Sequence, residues 1–518
     1  MALLPLLFLV TIAAATWAFR GQPARFRWTL FGGAAVATWG AVLGLLAATP
    51  TSTALSVWQP APLFRSRLEF VLDDPGWTMA FVMATNLLVS SAFMASRTSA
   101  PVEAPATFIL GLSAVAMAGV MAGNLASLIA SWALFDLILL ARSLSSAGAS
   151  GKGSGGGVAI FSGLLGLMLI LSATATLEDA GASDAAGTIS VPPIGFALLV
   201  AAALLRMGGG PHPSGSLAEP GKSHLDDPFP RMVSAALGAS LLVRTIAGGI
   251  PLDMVRPMQW VVCALGLTCS VRWVLGWRDE GSARYFLTGL LAFGAIASTF
   301  SASDGERPAL AAAALALCAA PLVIYRRIHH GAHRVAPAAT ALIVAGLPAT
   351  IGGTLMSSLV SSFAGPLDLV FAAACVLGLG LLAGGLLQQA YQPSEAWPAS
   401  EALPKGLFTL GKFVPLLAIL GLGLRPGATP TAFGGGAFVL AVVVGVLVGR
   451  GANRGTSRVP ARWRRLSAWL EPSGALSVAR GVTAAILRAI HGLASVLEGE
   501  GAMLWVLVLL MVIVLGWR

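Results

Sequence analysis

Long apolar runs recur along this chain, and they limit its fold more than any other feature. Stretches such as 157–173 and 501–517 are almost free of charge. Comparable runs return roughly every 20 to 35 residues, and about 14 to 16 of them approach the ~20 residues that a helix needs to cross a ~30 Å hydrocarbon core. A helix satisfies its own backbone hydrogen bonds, so it is the form such a run can take inside lipid. Composition agrees, because 10% of the 518 residues are charged against about 25% in a soluble protein. The expected fold class is an all-α polytopic membrane protein in a lipid bilayer. The first run, 2–18, has no basic segment before it and reads as a retained span.

The expected spans are 2–19, 29–49, 77–95, 106–123, 124–143, 157–176, 190–206, 231–250, 257–276, 283–300, 308–325, 338–363, 366–391, 405–424, 431–449 and 501–517. Residues 106–143 read as two helices or as one longer pair joined at Gly123-Asn124. The net charge of +10 is concentrated in alternate loops. Arg20, Arg25 and Arg27 follow the first span, and later basic loops carry Arg142 and Lys152, Arg278 and Arg284, YRRIHHGAHR at 325–334, and the run from Arg450 to Arg465. The loops between them are acidic or neutral, as in LEDAGASD at 177–184. The positive-inside rule then puts the N-terminus on the non-cytoplasmic side of a bacterial-type plasma (inner) membrane. This distribution accounts for the basic charge without a nucleic-acid partner. Cys263, Cys269, Cys318 and Cys375 lie in apolar runs without CxxC spacing. They read as small buried hydrophobes, so no metal or cofactor site is expected.

Two spans are interrupted. The seventh ends in RMGGGPHP, with Gly208, Gly209, Gly210, Pro211 and His212, and the twelfth carries Gly346 and Pro348 at its centre. The two lie five spans apart, and an odd offset gives them opposite orientation. Matched Gly/Pro breaks of this kind mark inverted repeats around an ion or substrate path. A packed proline kink is the simpler alternative. The expected organisation is N-terminal helices at 1–100, a first five-helix repeat at 101–250 broken near 206–213, and a second at 251–391 broken near 346–353. C-terminal helices at 392–449 follow, then a basic loop and amphipathic interfacial helix at 450–500 and a final span at 501–518.

Few ionisable residues fall inside the spans: Asp136, Arg206 and Arg244, with Arg272 nearer an end. A charge at that depth costs a few kcal/mol, about 2.5–3.5 at a helix centre, so each is a functional candidate. Asp136 paired with either arginine is one resolution, and clamps on carbonyls freed by the break are another. Of the four lysines none lies at mid-span, and Lys412 is close to a span end. His329, His330 and His333 read as a solvated basic turn. Ser357, Ser358, Ser361 and Ser362 either line water or pack helices.

Four segments occur in a telling order: AGNLASLIASWALFDLILLARSL at 122–144, RMGGGPHP followed by DDPFPRMVSAALGASLLVRTIAGG at 226–249, GSARYFLTGLLAFG at 281–294, and AGLPATIGGTLMSSL at 345–359. Together, over roughly residues 65–420, they resemble the antiporter-like membrane subunits shared by respiratory complex I (NADH-quinone oxidoreductase), membrane-bound hydrogenases and multisubunit Na+/H+ antiporters. The resemblance implies proton or ion translocation in a multisubunit complex, with other membrane subunits and a cytoplasmic peripheral arm or enzyme as partners. It implies ion-path candidates Asp136, Arg206, His212 and Arg244. Ala133 holds the family's glutamate position, with Asp136 one turn on. Arg206 replaces a lysine, Arg244 falls where many members carry a second lysine, Gly238 replaces a histidine, and Met356 takes the second-half lysine or glutamate position. These departures support an alternative, a conduction-deficient anchoring subunit; the resemblance also implies a further one, a membrane partner in an inorganic-carbon uptake complex. No nucleophile–base or metal constellation is visible, so redox chemistry is assigned to partners.

Overall fold

The computed structural model describes residues 3–19, 21–55, 68–96, 106–150, 154–179, 191–209, 228–276, 280–301, 305–360, 365–395, 402–424 and 432–454. In chain order its helices are α1 (Leu4–Ala18), α2 (Ala24–Leu45), α3 (Asp74–Ala95), α4 (Ala106–Val120), α5 (Leu125–Ser150), α6 (Ser154–Asp179), α7 (Pro193–Leu204) and α8 (Pro228–Ala247). They continue with α9 (Leu252–Gly276), α10 (Ala283–Phe300), α11 (Glu306–Ile324), α12 (Val335–Val344), α13 (Ile351–Val360), α14 (Pro366–Ala390), α15 (Ala402–Gly423) and α16 (Ala432–Arg454). Among the described residues, 7 helices are long and apolar enough to cross a membrane: α2, α3, α9, α10, α11, α14 and α15. Shorter apolar helices accompany them. Gly210, Pro211, His212, the expected interfacial helix and the final span lie outside the described residues.

The centre of the bundle is made by α3, α10 and α11, buried on nearly every side, while α2, α9 and α15 turn one face outward. The sequence of α11, ERPALAAAALALCAAPLVI, explains its central place. Its small side chains let neighbouring backbones approach closely, which drives helix packing where water contributes nothing.

A two-stranded antiparallel hairpin, which the apolar patterning does not announce, joins α2 to α3. Strand β1 (Thr51–Leu55) pairs with β2 (Leu68–Leu72), with Thr51 opposite Leu72 and Leu55 opposite Leu68. The hairpin pins the α4–α5 junction. The Val71 amide donates to the Met121 carbonyl at 2.7 Å, and the Gly123 amide to the Glu69 carbonyl at 2.7 Å. The Gly123-Asn124 junction expected from sequence is therefore a real break. Asn124 starts α5 by accepting the Ser127 amide at 2.9 Å on its Oδ1, as an N-cap does.

Both expected interruptions are backbone breaks. After α7 the chain enters a wide turn over Leu205–Gly209, in which Gly208 has φ of 103°. Between α12 and α13, Gly346 has φ of 97° and Ala349 has φ of 59°. Glycine adopts this left-handed region freely, and a Cβ there is strained. Pro348 has no amide hydrogen to continue the ladder. Thr350 restarts the helix, accepting the Gly353 amide at 3.3 Å.

Candidate functional site

The first break positions a buried charge pair. Arg206 lies in the wide turn after α7 and Asp136 lies on α5. Their Nη1 and Oδ2 atoms are 2.8 Å apart, with side-chain exposures of 2% and 6%. Trp132 and Phe135 share the Asp136 face of α5. The Arg206 guanidinium carbon sits 4.6 Å from the Trp132 ring centroid and 4.8 Å from that of Phe135. Aromatic faces attract a desolvated cation, so α5 offers Arg206 a carboxylate and two rings from little more than one turn. Of the two arginines the sequence allowed as partners for Asp136, Arg206 is the one that pairs.

Neighbouring helices complete the site. The carbonyls freed at the break accept hydroxyls: Ser234 Oγ of α8 donates to the Arg206 carbonyl at 3.1 Å, and Thr288 Oγ1 of α10 to the Met207 carbonyl at 3.4 Å. Gly238 brings α8 close, since a Cβ there would stand 2.7 Å from the Ala203 carbonyl oxygen. That contact gives a steric reason for glycine at this position. Gly163 of α6 faces the pair itself. A Cβ on it would stand 2.6 Å from Asp136 Oδ1 and 2.8 Å from Arg206 Nη1. Sequence reasoning missed Gly163, because nothing distinguishes it from other glycines in an apolar run.

Arg244, on α8, pairs elsewhere. Its Nη1 and Nη2 lie 3.2 and 3.3 Å from the two carboxylate oxygens of Asp73, and Nη2 donates to the Val120 carbonyl at 3.3 Å. Asp73 also caps α3, accepting the Gly76 amide at 2.8 Å. The Asp73 side chain is 29% exposed against 6% for Asp136, so this second pair stands nearer the aqueous edge. Several buried donors have no hydrogen-bond partner among the described residues: Nε and Nη2 of Arg206, Nε of Arg244 and Nε1 of Trp132. Buried donors of this kind call for water or a mobile ion.

The second break carries no charge. Met356 is buried and packs on Gly346. Ser357 and Ser358 donate to the Thr354 carbonyl of their own helix at 3.0 and 2.9 Å. Ser361 and Ser362 lie outside the described residues. The basic turn departs from expectation. His330 is exposed, but His333 is 2% exposed. Its ring lies 5.2 Å from the Phe408 ring, and its Nε2 is 3.2 Å from Thr409 Oγ1. Burial, with Lys412 and the other two histidines nearby, lowers its pKa to about 4. Lys412, expected near a span end, stands in the middle of α15 and is 0% exposed.

The fold is that of known respiratory and antiporter-type membrane subunits. A chain of the Mrp complex from Dietzia sp. superposes with a TM-score of 0.62 at 15% identity over 99% of this chain, which spans 62% of that one. A chain of respiratory complex I from Thermus thermophilus gives 0.58 at 16% identity, covering 87% of this chain and 100% of that one. A chain of the membrane-bound sulfane sulfur reductase, an archaeal respiratory membrane complex, gives 0.58 at 14% identity, covering 99% of each. No protein-family model matches the sequence, and no curated protein does.

Proposed function

We propose that this chain is a membrane subunit of an ion-translocating complex of the complex I or Mrp type, moving protons or Na+ beside other membrane subunits. The observation that carries this is the Asp136–Arg206 pair, buried at a helix break in a fold of that class. An intramembrane charge is costly and is retained where an ion path needs it. Arginine effectively cannot release its proton, so Asp136 is the member of the pair able to exchange one. A proton arriving on Asp136 neutralises the carboxylate and frees Arg206, whose fixed positive charge then repels the next cation until Asp136 ionises again. The uncommitted Arg206 donors are groups that water beside the pair can fill. The test is ion flux in proteoliposomes holding the whole complex. Asp136→Asn abolishes flux while the complex still assembles, and unchanged flux rejects the role.

The basic loops argue for a non-cytoplasmic N-terminus in a bacterial-type inner membrane, and the resemblance argues for a cytoplasmic peripheral partner. A second reading has its own support. Met356 at the second break and arginine in place of lysine at the first suit a subunit that keeps the fold as an anchor without conducting. Under that reading Asp136→Asn fails by loss of assembly.

A further inference from the structure

Lys412 is the buried charge that the first site leaves unexplained. Its Nζ donates to the Tyr325 carbonyl, which closes the C-terminal end of α11, where helix carbonyls are unsatisfied and the helix dipole is negative. The Phe93 and Phe408 ring centroids lie 5.9 and 5.6 Å from Nζ. No carboxylate among the described residues pairs with it. An ammonium carries three donors, and the Tyr325 carbonyl is the acceptor the structure gives it. Unlike Arg206, a lysine can release its proton when buried.

The two sides of Lys412 are also polar. Thr409, one turn before it on α15, meets His333. The His333 and His330 rings are 6.2 Å apart, and His330 is exposed. This reaches from the surface turn to within a helical turn of Lys412. On the far side is α3. Val89 and Phe93 pack with Tyr325 and Phe408, and Asn86, Ser90 and Phe93 are spaced to share one helix face. Asn86 and Ser90 are 0% exposed, yet both amide atoms of Asn86 and the Ser90 hydroxyl have no partner among the described residues. A buried amide unsatisfied at both ends is costly unless water reaches it. Asn86 lies about 10 Å along the α3 axis from Phe93, a span that a short water file can bridge.

We infer that Lys412 is the proton-exchanging group of a second hydrated path. The path runs from His330 and His333 past Thr409 to Lys412, and on to Ser90 and Asn86 of α3, separate from the Asp136–Arg206 site. It rests on the ion-translocating reading. In each passage one Nζ–H bond breaks to water on one side, and the free amine takes a proton from water on the other. No electrons move.

The test uses the whole complex in proteoliposomes with an internal pH dye, comparing wild type, Lys412→Arg, Lys412→Met and Asp136→Asn. Lys412→Arg keeps a donor for the Tyr325 carbonyl but cannot deprotonate, so it assembles and loses proton flux at least tenfold. A structural cap would leave its flux unchanged. If arginine does not fit and assembly fails, Lys412→Met decides: assembly with flux within twofold of wild type overturns the role. In a variant with the four native cysteines replaced, Ser90→Cys and Asn86→Cys react with a small water-soluble thiol reagent, and lack of reaction at both overturns the hydrated path. If Asp136→Asn loses flux while Lys412→Arg keeps it, this inference fails and the general reading stands. If wild type moves Na+ but no protons, the transfer assigned to Lys412 fails and the general reading stands; if it moves neither although Ser90→Cys reacts, both fail.

Discussion

Replacing Asp136 with asparagine removes one charge and little volume, and leaves Arg206 charged in a site where its side chain is 2% exposed. Two opposite charges about 4 Å apart attract by about 4 kcal/mol at an effective dielectric of ~20. Removing one partner of a buried pair costs about 3–5 kcal/mol, because the other charge is stranded. Part of this is recovered. The asparagine carbonyl can still accept from Arg206 Nη1, a bond to a charged group contributing about 1.5–3 kcal/mol, and the Trp132 and Phe135 faces remain at 4.6 and 4.8 Å. The expected loss is about 2–3 kcal/mol. Removing both charges behaves differently. Asp136→Leu with Arg206→Met leaves no stranded charge and comes out near neutral, since apolar replacement of a buried pair often costs nothing. The assay is reversible unfolding in mixed detergent–SDS micelles, run as a double-mutant cycle with Asp136→Leu, Arg206→Met and the double variant, beside Asp136→Asn. A loss below about 1 kcal/mol for Asp136→Asn, or a double variant that merely adds the two single losses, would refute the claim that the pair is desolvated and coupled.

The Asp73–Arg244 pair should be weaker: Asp73→Asn costs about 1–2 kcal/mol in the same unfolding assay, since Arg244 is buried but the carboxylate is 29% exposed and partly screened. Gly163→Val forces Asp136 and Arg206 apart, so it loses stability comparably to Asp136→Asn and the two together are far from additive. Gly346→Ala puts a Cβ at φ of 97° and 2.7 Å from Met356 Cβ, and thermal unfolding should show a loss of about 1–3 kcal/mol. His333 titrates near pH 4 when folded and near 6.5 when unfolded. Between those values the unfolded chain binds the extra proton, so stability falls as pH drops from about 6.5 toward 4. Melting temperatures at several pH values should show this loss reduced in His333→Gln, and an unchanged pH dependence would place His333 in solvent.

The apolar helices of the described residues and both breaks were legible in the sequence because each depends on neighbours in the chain. A run of about 20 apolar residues makes its own hydrogen bonds, and glycine or proline interrupts a helix wherever it stands. The charge candidates were legible because a buried arginine or aspartate is expensive at any depth, and Asp136 was already a plausible partner for an arginine. What packs over a residue is another matter. The Asp73–Arg244 pair joins positions 171 residues apart, and only the packing of α3, which Asp73 caps, against α8 brings them together. His333 and Lys412 looked like a solvated turn and a span end. They are buried because Phe93, Tyr325 and Phe408, from three different helices or their ends, close over them. Sequence determines what each segment must hide from lipid and where its helix must stop. Desolvation depends on which other segments arrive on top, so the tertiary structure decided which polar groups became buried and which partners they met.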